Sequence, residues 1–162
     1  MITRIKYLLL MCVCALGATA QDNLSALLPM PRKVVEKQGK AFDFAKVGEI
    51  ECHLGDSLFV LKELADIVAH RTGVQLPAKG KNKVVILENS DVSPESYTLD
   101  IGSKVITIEG DRSGIYYALK TLDQLLLGDV RNSADGKAAQ VRVEDAPRYG
   151  YRAVMLDPAR HF

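Results

Sequence analysis

The sequence contains no tryptophan, three histidines and three cysteines, and its charges almost cancel. Cys12 and Cys14 lie close to the N-terminus, in a segment with the features of a leader, so Cys52 is left without a partner for an internal disulfide. A formal net charge of +1 with no basic stripe argues against nucleic acid as a partner. No apolar run reaches the roughly 20 residues that a transmembrane helix needs.

Residues 1–20 have the organisation of a signal peptide. A positively charged start precedes an apolar core over residues 8–16, and the small residues that follow predict cleavage after Ala20. Cleavage would leave no stable membrane span, so we expect an exported protein, either periplasmic or secreted. An uncleaved anchor is the less favoured alternative. A lipid anchor is also less favoured, because Met11 and Val13 are not the small residue preferred before a lipid-carrying cysteine.

The remaining chain, about 140 residues, is long enough for one domain but not for an added (β/α)8 barrel of about 250 residues. Two amphipathic segments predict helices, one with Asp56 as its N-cap and Gly73 at its end, the other with Asp111 as its N-cap and Gly128 at its end. Short apolar or alternating runs predict strands at 33–36, 41–44, 50–54, 84–87, 97–101, 105–109 and 141–143. We therefore expect an α+β domain over residues 21–147, with a mostly antiparallel sheet and two helices packed on one face.

The clearest local pattern in this domain is a β-hairpin. Apolar residues alternate with polar ones through 97–101 and again through 105–109. The Gly102-Ser103 link between them has glycine first, which suits a type II′ turn.

No motif in the domain indicates a metal or a cofactor, and we expect none. Cys52-His53 lacks a third ligand nearby, so a buried thiol beside a surface imidazole is the simpler interpretation. The glycine-rich turn at 110–114 precedes a helix but lacks the Lys-Ser/Thr and the glycine spacing of a phosphate loop.

The segment 148–162 has a different character. Residues 153–156 form an unbroken apolar run, typical of a strand covered on both faces in a parallel sheet. Asp157, Arg160 and His161 follow it, and α/β barrels place substrate-contacting groups at this end of a strand. From the residues alone, a surface arginine after a strand explains Arg160 equally well.

Three segments resemble one known family. Residues 151–162, Tyr-Arg-Ala-Val-Met-Leu-Asp-Pro-Ala-Arg-His-Phe, resemble the first barrel strand of the β-N-acetylhexosaminidases, the family 20 glycoside hydrolases. Glu95-Ser96-Tyr97-Thr98-Leu99 is similar to the family's Glu-x-Tyr-x-Leu strand. Residues 114–125 are similar to its Gly-x-x-Tyr helix, with Lys120 in place of the usual Gln.

The resemblance runs in order from Leu27 to Phe162, and an Asp-x-Pro-Arg at 145–148 is like the family's link into its barrel. Two residues depart from the family's barrel-strand pattern. Ala153 stands where Gly is common, and Pro158 stands where a small or β-branched residue is usual.

The resemblance implies that residues 148–162 are the start of a truncated catalytic (β/α)8 barrel whose remainder is missing. Arg160 would hold hydroxyls of a terminal N-acetylglucosamine or N-acetylgalactosamine, Asp157 would orient Arg160, and His161 would help to shape the pocket. Such enzymes cleave β-linked N-acetylhexosamines by substrate assistance with retention, using an adjacent Asp-Glu pair. The chain contains no Asp followed by Glu, so we expect it to be inactive alone, and the missing tryptophan agrees with an absent sugar site.

Two alternatives remain open. The first is a non-catalytic accessory module that binds a glycan or a partner, because the N-terminal domain is complete by length; against it, an exposed apolar strand at 153–156 would invite aggregation. The second is another glycosidase family with a similar N-terminal domain, although the ending at 157–162 favours family 20.

Overall fold

The structure is a computed structural model that describes residues 27–128 and 136–155. Within these residues, eight strands and two helices enclose one core. The strands are β1 (Lys33–Glu36), β2 (Phe42–Asp43), β3 (Val47–His53), β4 (Asn82–Glu88), β5 (Tyr97–Ile101), β6 (Val105–Gly110), β7 (Lys137–Ala138) and β8 (Val141–Asp145). The helices are α1 (Leu58–Thr72) and α2 (Arg112–Gly128), and a 3-10 turn spans Phe44–Lys46.

Six of the strands form one mixed sheet in the order β1-β8-β5-β6-β4-β3, and β2 pairs with β7 separately. β4 is parallel to both of its neighbours, whereas the other three pairs of the large sheet are antiparallel. The expected α+β class is confirmed, but the expected mostly antiparallel sheet is corrected to a mixed one. The helical connection between β3 and β4 explains one parallel pair, because a crossover of this kind joins parallel neighbours. The other arises because β5, which lies between β4 and β6 in the chain, runs in the opposite direction to both.

One face of the sheet is apolar across all six strands. The register aligns one residue from each strand in a continuous row, in sheet order Val34, Val143, Leu99, Ile108, Ile86 and Cys52. The four inner residues of this row are fully buried. Leu64 and Val68 of α1 and Leu119 and Leu122 of α2 belong to the same core, so both helices cover this face.

The opposite face of the sheet carries ion pairs. Arg142 on β8 lies 3.3 Å from Asp100 on β5, and Lys83 on β4 pairs with Glu51 on β3. Successive side chains of a strand point to opposite faces, so these charged positions alternate with the apolar row. The charges keep this face hydrated.

The helix ends follow local rules with one exception. Gly73 ends α1 in the left-handed conformation, at φ 73°, as predicted. Asp111 caps α2 as predicted, because its Oδ1 accepts a hydrogen bond from the Gly114 N–H at 2.7 Å. The prediction that Asp56 caps α1 is wrong: Ser57 occupies the N-cap position and makes no side-chain cap hydrogen bond.

The predicted β5–β6 hairpin is confirmed, but its turn lies one residue later than expected. The Gly102 N–H donates to the Val105 carbonyl at 2.9 Å, so the two turn residues are Ser103 and Lys104. Gly102 does not have a positive φ, and the predicted type II′ turn is therefore wrong.

The predicted signal peptide, residues 1–20, lies outside the described residues and stays a prediction. Over residues 27–128 and 136–155, neither helix combines the length and the hydropathy required to cross a membrane.

Two ion pairs join the helices to each other. The Arg71 guanidinium of α1 binds the Asp123 carboxylate of α2 through two hydrogen bonds of 2.6 and 2.9 Å. Lys120 Nζ lies 2.5 Å from a carboxylate oxygen of Glu63. The hydrogen bonds from Arg71 lower the pKa of Asp123 below its usual value.

This lowered pKa predicts how stability depends on acid. Asp123→Asn should reduce the free energy of unfolding by about 1 kcal/mol at pH 7. The carboxylate stabilises the fold fully above its unfolded-state pKa of about 3.9, and loses that effect as pH falls through its lower folded-state pKa. Urea unfolding followed by circular dichroism should therefore show a larger difference between variant and parent at pH 7 than at pH 2.

Asp56→Asn is the matched control for this experiment. Asp56 lies 3.3 Å from Arg112, but about two-thirds of each side chain is exposed, so the control should change the unfolding free energy little at either pH. An equal loss of stability in the Asp123 variant at both pH values would contradict the assignment.

Candidate functional site

A groove of 540 Å³ lies between residues 27–30, one side of α2 and residues 145–152. We call it the connector groove, and we call residues 146–152 the connector. The connector follows β8 directly, so the groove lies where the chain leaves the domain.

Tyr97 and Thr121 meet at the groove, where a side chain of β5 reaches one of α2. Their hydroxyl oxygens lie 2.6 Å apart in a buried hydrogen bond, and Tyr97 is only 6% exposed. Burial is the main cause that raises the pKa of Tyr97 above its usual value. The phenol therefore stays protonated at neutral pH, and the pair fixes α2 against the start of β5.

Gln124 holds the N-terminal side of the groove. Its amide oxygen accepts a hydrogen bond from the Leu28 N–H, and its amide nitrogen donates to the Leu28 carbonyl, both at 2.8 Å. A side-chain amide can satisfy both backbone groups of an extended residue in this way. The segment that enters the domain is thus fixed to α2.

Arg32 lies outside the lining of the groove but binds two of the residues that line it. Its backbone N–H donates to Asp145 Oδ1 at 3.1 Å, and its guanidinium donates to the Pro147 carbonyl at 2.6 Å. Arg32 follows Pro29-Met30-Pro31 directly. It therefore joins the segment that enters the domain to the beginning of the connector.

The Ser96 carbonyl determines how closely the elements around the groove approach. A Cβ placed on Gly114 would lie 1.9 Å from this oxygen, and one on Gly110 would lie 2.4 Å from it. Both distances are far shorter than a non-bonded contact, so only glycine fits at either position. The end of β6 and the first turn of α2 thus pack directly against the backbone that leads into β5.

Most of the domain residues that carry the family resemblance converge here. Gly114 packs on Ser96. Residues from the matching segments 95–99, 114–125 and 145–148 line the groove, namely Glu95, Tyr97, Tyr117, Thr121, Gln124, Asp145, Pro147 and Arg148. The sequence pattern identified these residues but not their common location. Arg32 was missed, because an exposed arginine after two prolines carries no local signal of its role.

Each described ionisable group with a shifted pKa keeps the protonation state that its side chain ordinarily has at neutral pH. Carboxylates paired with arginine or lysine have lowered pKa values, namely Glu51, Asp123 and Glu144. Cations in such pairs have raised pKa values, and burial raises those of Cys52 and Tyr97. General acid–base catalysis needs a pKa near the working pH. These shifts therefore indicate structural pairs.

The described residues contain no group of three side chains able to hold a metal ion. Cys52 lies on the core face of β3, and the adjacent His53 lies on the other. The hydrogen bonds that Gln124 and Arg32 make to backbone groups beside the connector groove support a role in positioning the chain that leaves the domain.

Arg160, Asp157 and His161 lie outside the described residues, and their roles stay predictions. The predicted strand at 153–156 is not confirmed, since its described part belongs to no strand and Met155 is 93% exposed.

The comparisons with known proteins agree with one another. Residues 24–146 match the family model described as "Glycosyl hydrolase family 20, domain 2". The chain is 30% identical over 146 residues to a β-hexosaminidase of Vibrio furnissii, and 28% identical over 150 residues to an N,N′-diacetylchitobiase of Vibrio harveyi. The matches cover 90% and 88% of this chain but only 23% and 16% of those proteins.

Solved structures give the same result. A family 20 exo-β-N-acetylglucosaminidase of Vibrio harveyi in complex with N-acetylglucosamine matches with a TM-score of 0.66 and 26% identity, over 86% of this chain and 22% of that one. A family 20 β-N-acetylhexosaminidase of Streptomyces coelicolor matches with a TM-score of 0.67 and 27% identity, over 86% and 30%. The chain thus spans less than a third of each relative.

The close approach at Ser96 predicts the effect of one methyl group. Gly114→Ala should lower the free energy of unfolding by about 2 kcal/mol, because the backbone must move and the loss exceeds the helix propensity gained. Gly55→Ala is the control, since a Cβ there meets no atom within 4 Å. Urea unfolding followed by circular dichroism measures both variants, and equal midpoints would contradict the prediction.

Proposed function

The chain belongs to glycosyl hydrolase family 20 through its domain 2, and from this membership we propose that it is part of an exported β-N-acetylhexosaminidase. The enzyme removes terminal β-linked N-acetylglucosamine or N-acetylgalactosamine from glycans. The observation that carries the proposal is the family match over residues 24–146, because relatives that share this domain are named β-hexosaminidase or chitobiase.

The proposed reaction is a substrate-assisted double displacement, the exception to the scheme of two enzyme carboxylates. The acetamido oxygen of the substrate attacks the anomeric carbon while a glutamic acid protonates the departing glycosidic oxygen. The preceding aspartate positions the acetamido group. Water then opens the cyclic intermediate, and two inversions leave the configuration retained. The 162 residues contain no Asp-Glu pair, so the proposal assigns this pair to a barrel that follows the domain in the same polypeptide.

In this proposal, Arg160 binds the substrate without transferring a proton. A guanidinium presents planar, paired donors that can hold two neighbouring sugar hydroxyls. Asp157 orients Arg160, and His161 helps to shape the pocket. The contacts along the connector groove agree with this division of roles, because Gln124 and Arg32 bind backbone groups of the entering and leaving segments and so position the chain.

A non-catalytic module that binds glycans is the second candidate. The observation that favours it is the single core, which residues 27–128 and 136–155 build with both helices and all eight strands. Titration calorimetry of the chain with chitobiose separates the two candidates, since binding by the chain alone would favour the module.

The hydrolase proposal is tested with a longer protein. We expect the DNA after the Phe162 codon to encode a barrel with an Asp-Glu pair. The protein expressed from the whole frame should release 4-nitrophenol from 4-nitrophenyl N-acetyl-β-D-glucosaminide. The 162-residue chain should not, and turnover by this chain alone would contradict the assignment of the catalytic pair.

Arg160→Ala in the longer protein tests the proposed binding role. Losing the charged hydrogen bonds should cost about 2–4 kcal/mol, which corresponds to a rise in KM of about 30- to 1,000-fold. Arg112→Ala is the control, because Arg112 is exposed and pairs with the equally exposed Asp56. If the KM of the Arg160 variant stays at the parent value, Arg160 does not bind the sugar.

A further inference from the structure

Glu95 has an unusual backbone conformation. Its φ is 61°, and it is the one residue other than glycine with a positive φ in the described segments. A side chain with a Cβ is disfavoured in this left-handed region and persists there only where its surroundings fix it. Such residues often lie at functional positions, so both the cause and the use of this conformation require an explanation.

The backbone on the C-terminal side of Glu95 is fixed. The Ser96 N–H and hydroxyl both donate to the Ser93 carbonyl, at 3.1 and 2.5 Å. The Ser96 carbonyl packs against Gly110 and Gly114 without space for a side chain on either. The turn therefore imposes the conformation of Glu95.

The imposed conformation brings the Glu95 carboxylate to the connector. There it forms an ion pair with the Arg152 guanidinium, and both residues line the connector groove. Both partners are partly exposed, with 33% and 49% of the side chains accessible. The pair is the one side-chain hydrogen bond between residues 149–155 and the rest of the described chain.

The connector is held at two places. Arg32 binds the Pro147 carbonyl, and Glu95 binds Arg152. Between them the chain is open to solvent: Tyr149 and Tyr151 are 74% and 85% exposed. Without the pair formed by Glu95, the connector would be held only at its beginning.

We propose that Glu95 is a positioning residue, which anchors Arg152 and thereby sets where the chain after Met155 leaves the domain. With the role proposed above for Arg160, on which this part rests, Glu95 acts on sugar binding through the connector without touching the sugar. A positioning role of this kind predicts effects on the connector and on KM that are separate from effects on the stability of the domain.

Trypsin measures the anchor in the 162-residue chain itself. The protease must bind the Arg152 side chain before it cuts the Arg152–Ala153 bond, so the ion pair with Glu95 competes with cleavage. Glu95→Gln should increase the initial rate at this bond roughly fivefold, as expected for loss of a partly exposed ion pair. Glu49→Gln, which removes an exposed carboxylate from β3, is the charge-matched control and should leave the rate unchanged. Mass spectrometry identifies the bond that is cut.

Glu95→Gly separates positioning from stability. Glycine adopts φ 61° readily, so this variant should be at least as stable as the parent in urea, although it loses the anchor. It should still show the faster cleavage after Arg152. An unchanged cleavage rate in both Glu95 variants would overturn the proposal. So would a fall in stability large enough to account for faster cleavage in the glycine variant.

The longer protein gives the functional readout. Glu95→Gly should raise KM for the aryl glucosaminide severalfold and leave kcat near the parent value, and the charge exchange Glu95→Arg with Arg152→Glu should restore part of the lost affinity. An unchanged KM would overturn the positioning role. A longer protein without hydrolase activity would refute the proposed function instead, and the trypsin rates would still decide whether Glu95 anchors the connector.

Discussion

The contact on which the rest of the domain depends is the close approach of the Ser96 carbonyl to Gly110 and Gly114. It joins the backbone before β5 to the end of β6 and to the first turn of α2. Since β5 lies between β6 and β8 in the sheet, a shift at this point would disturb the centre of the sheet as well as the helix above it. A single carbonyl thus sets the spacing of three elements, and the interior is packed too densely to absorb a change there.

The same contact determines what the neighbouring residues can do. Tyr97 turns inward, where its buried hydroxyl forms a hydrogen bond with Thr121, and Glu95 turns outward to Arg152. Gln124 then fixes the entering segment to α2, and Arg32 joins that segment to the beginning of the connector. Residues that match motifs of a hydrolase family therefore serve here to fix the elements of the domain and the connector in place. Resemblance in a motif identifies residues with a function, but only their contacts reveal whether that function is chemical or positional.

Local rules predicted the local features of this fold. The 3.6-residue period and the caps at Asp111 and Gly73 located the ends of both helices within a few residues, and alternation located the β5–β6 hairpin. The parallel pairing around β4 was not predicted, although residues 84–87 form an unbroken apolar run of the kind found in parallel sheets, because such a run also suits a buried antiparallel strand. Local patterns could not predict the connector groove either, because it depends on contacts such as the one between Leu28 and Gln124, which lie 96 residues apart in sequence. Arg160 follows from family resemblance alone, because no local pattern distinguishes a sugar ligand from a surface arginine.

The value of an anchor at Arg152 can be seen from the length of chain that it fixes. An extended chain advances at most about 3.6 Å per residue, so the path of about thirteen residues from Pro147, where Arg32 already holds the connector, to Arg160 could span at most about 47 Å. A path of about eight residues from Arg152 spans at most about 29 Å, so the anchor at Arg152 shortens the longest possible path to Arg160 by about 40%. A partly exposed ion pair contributes little stability by itself. At this point of the chain, however, it restricts the positions that the residues after Arg152 can reach. The position of the Glu95–Arg152 ion pair along the chain, more than its strength, explains why Glu95 has a strained backbone conformation.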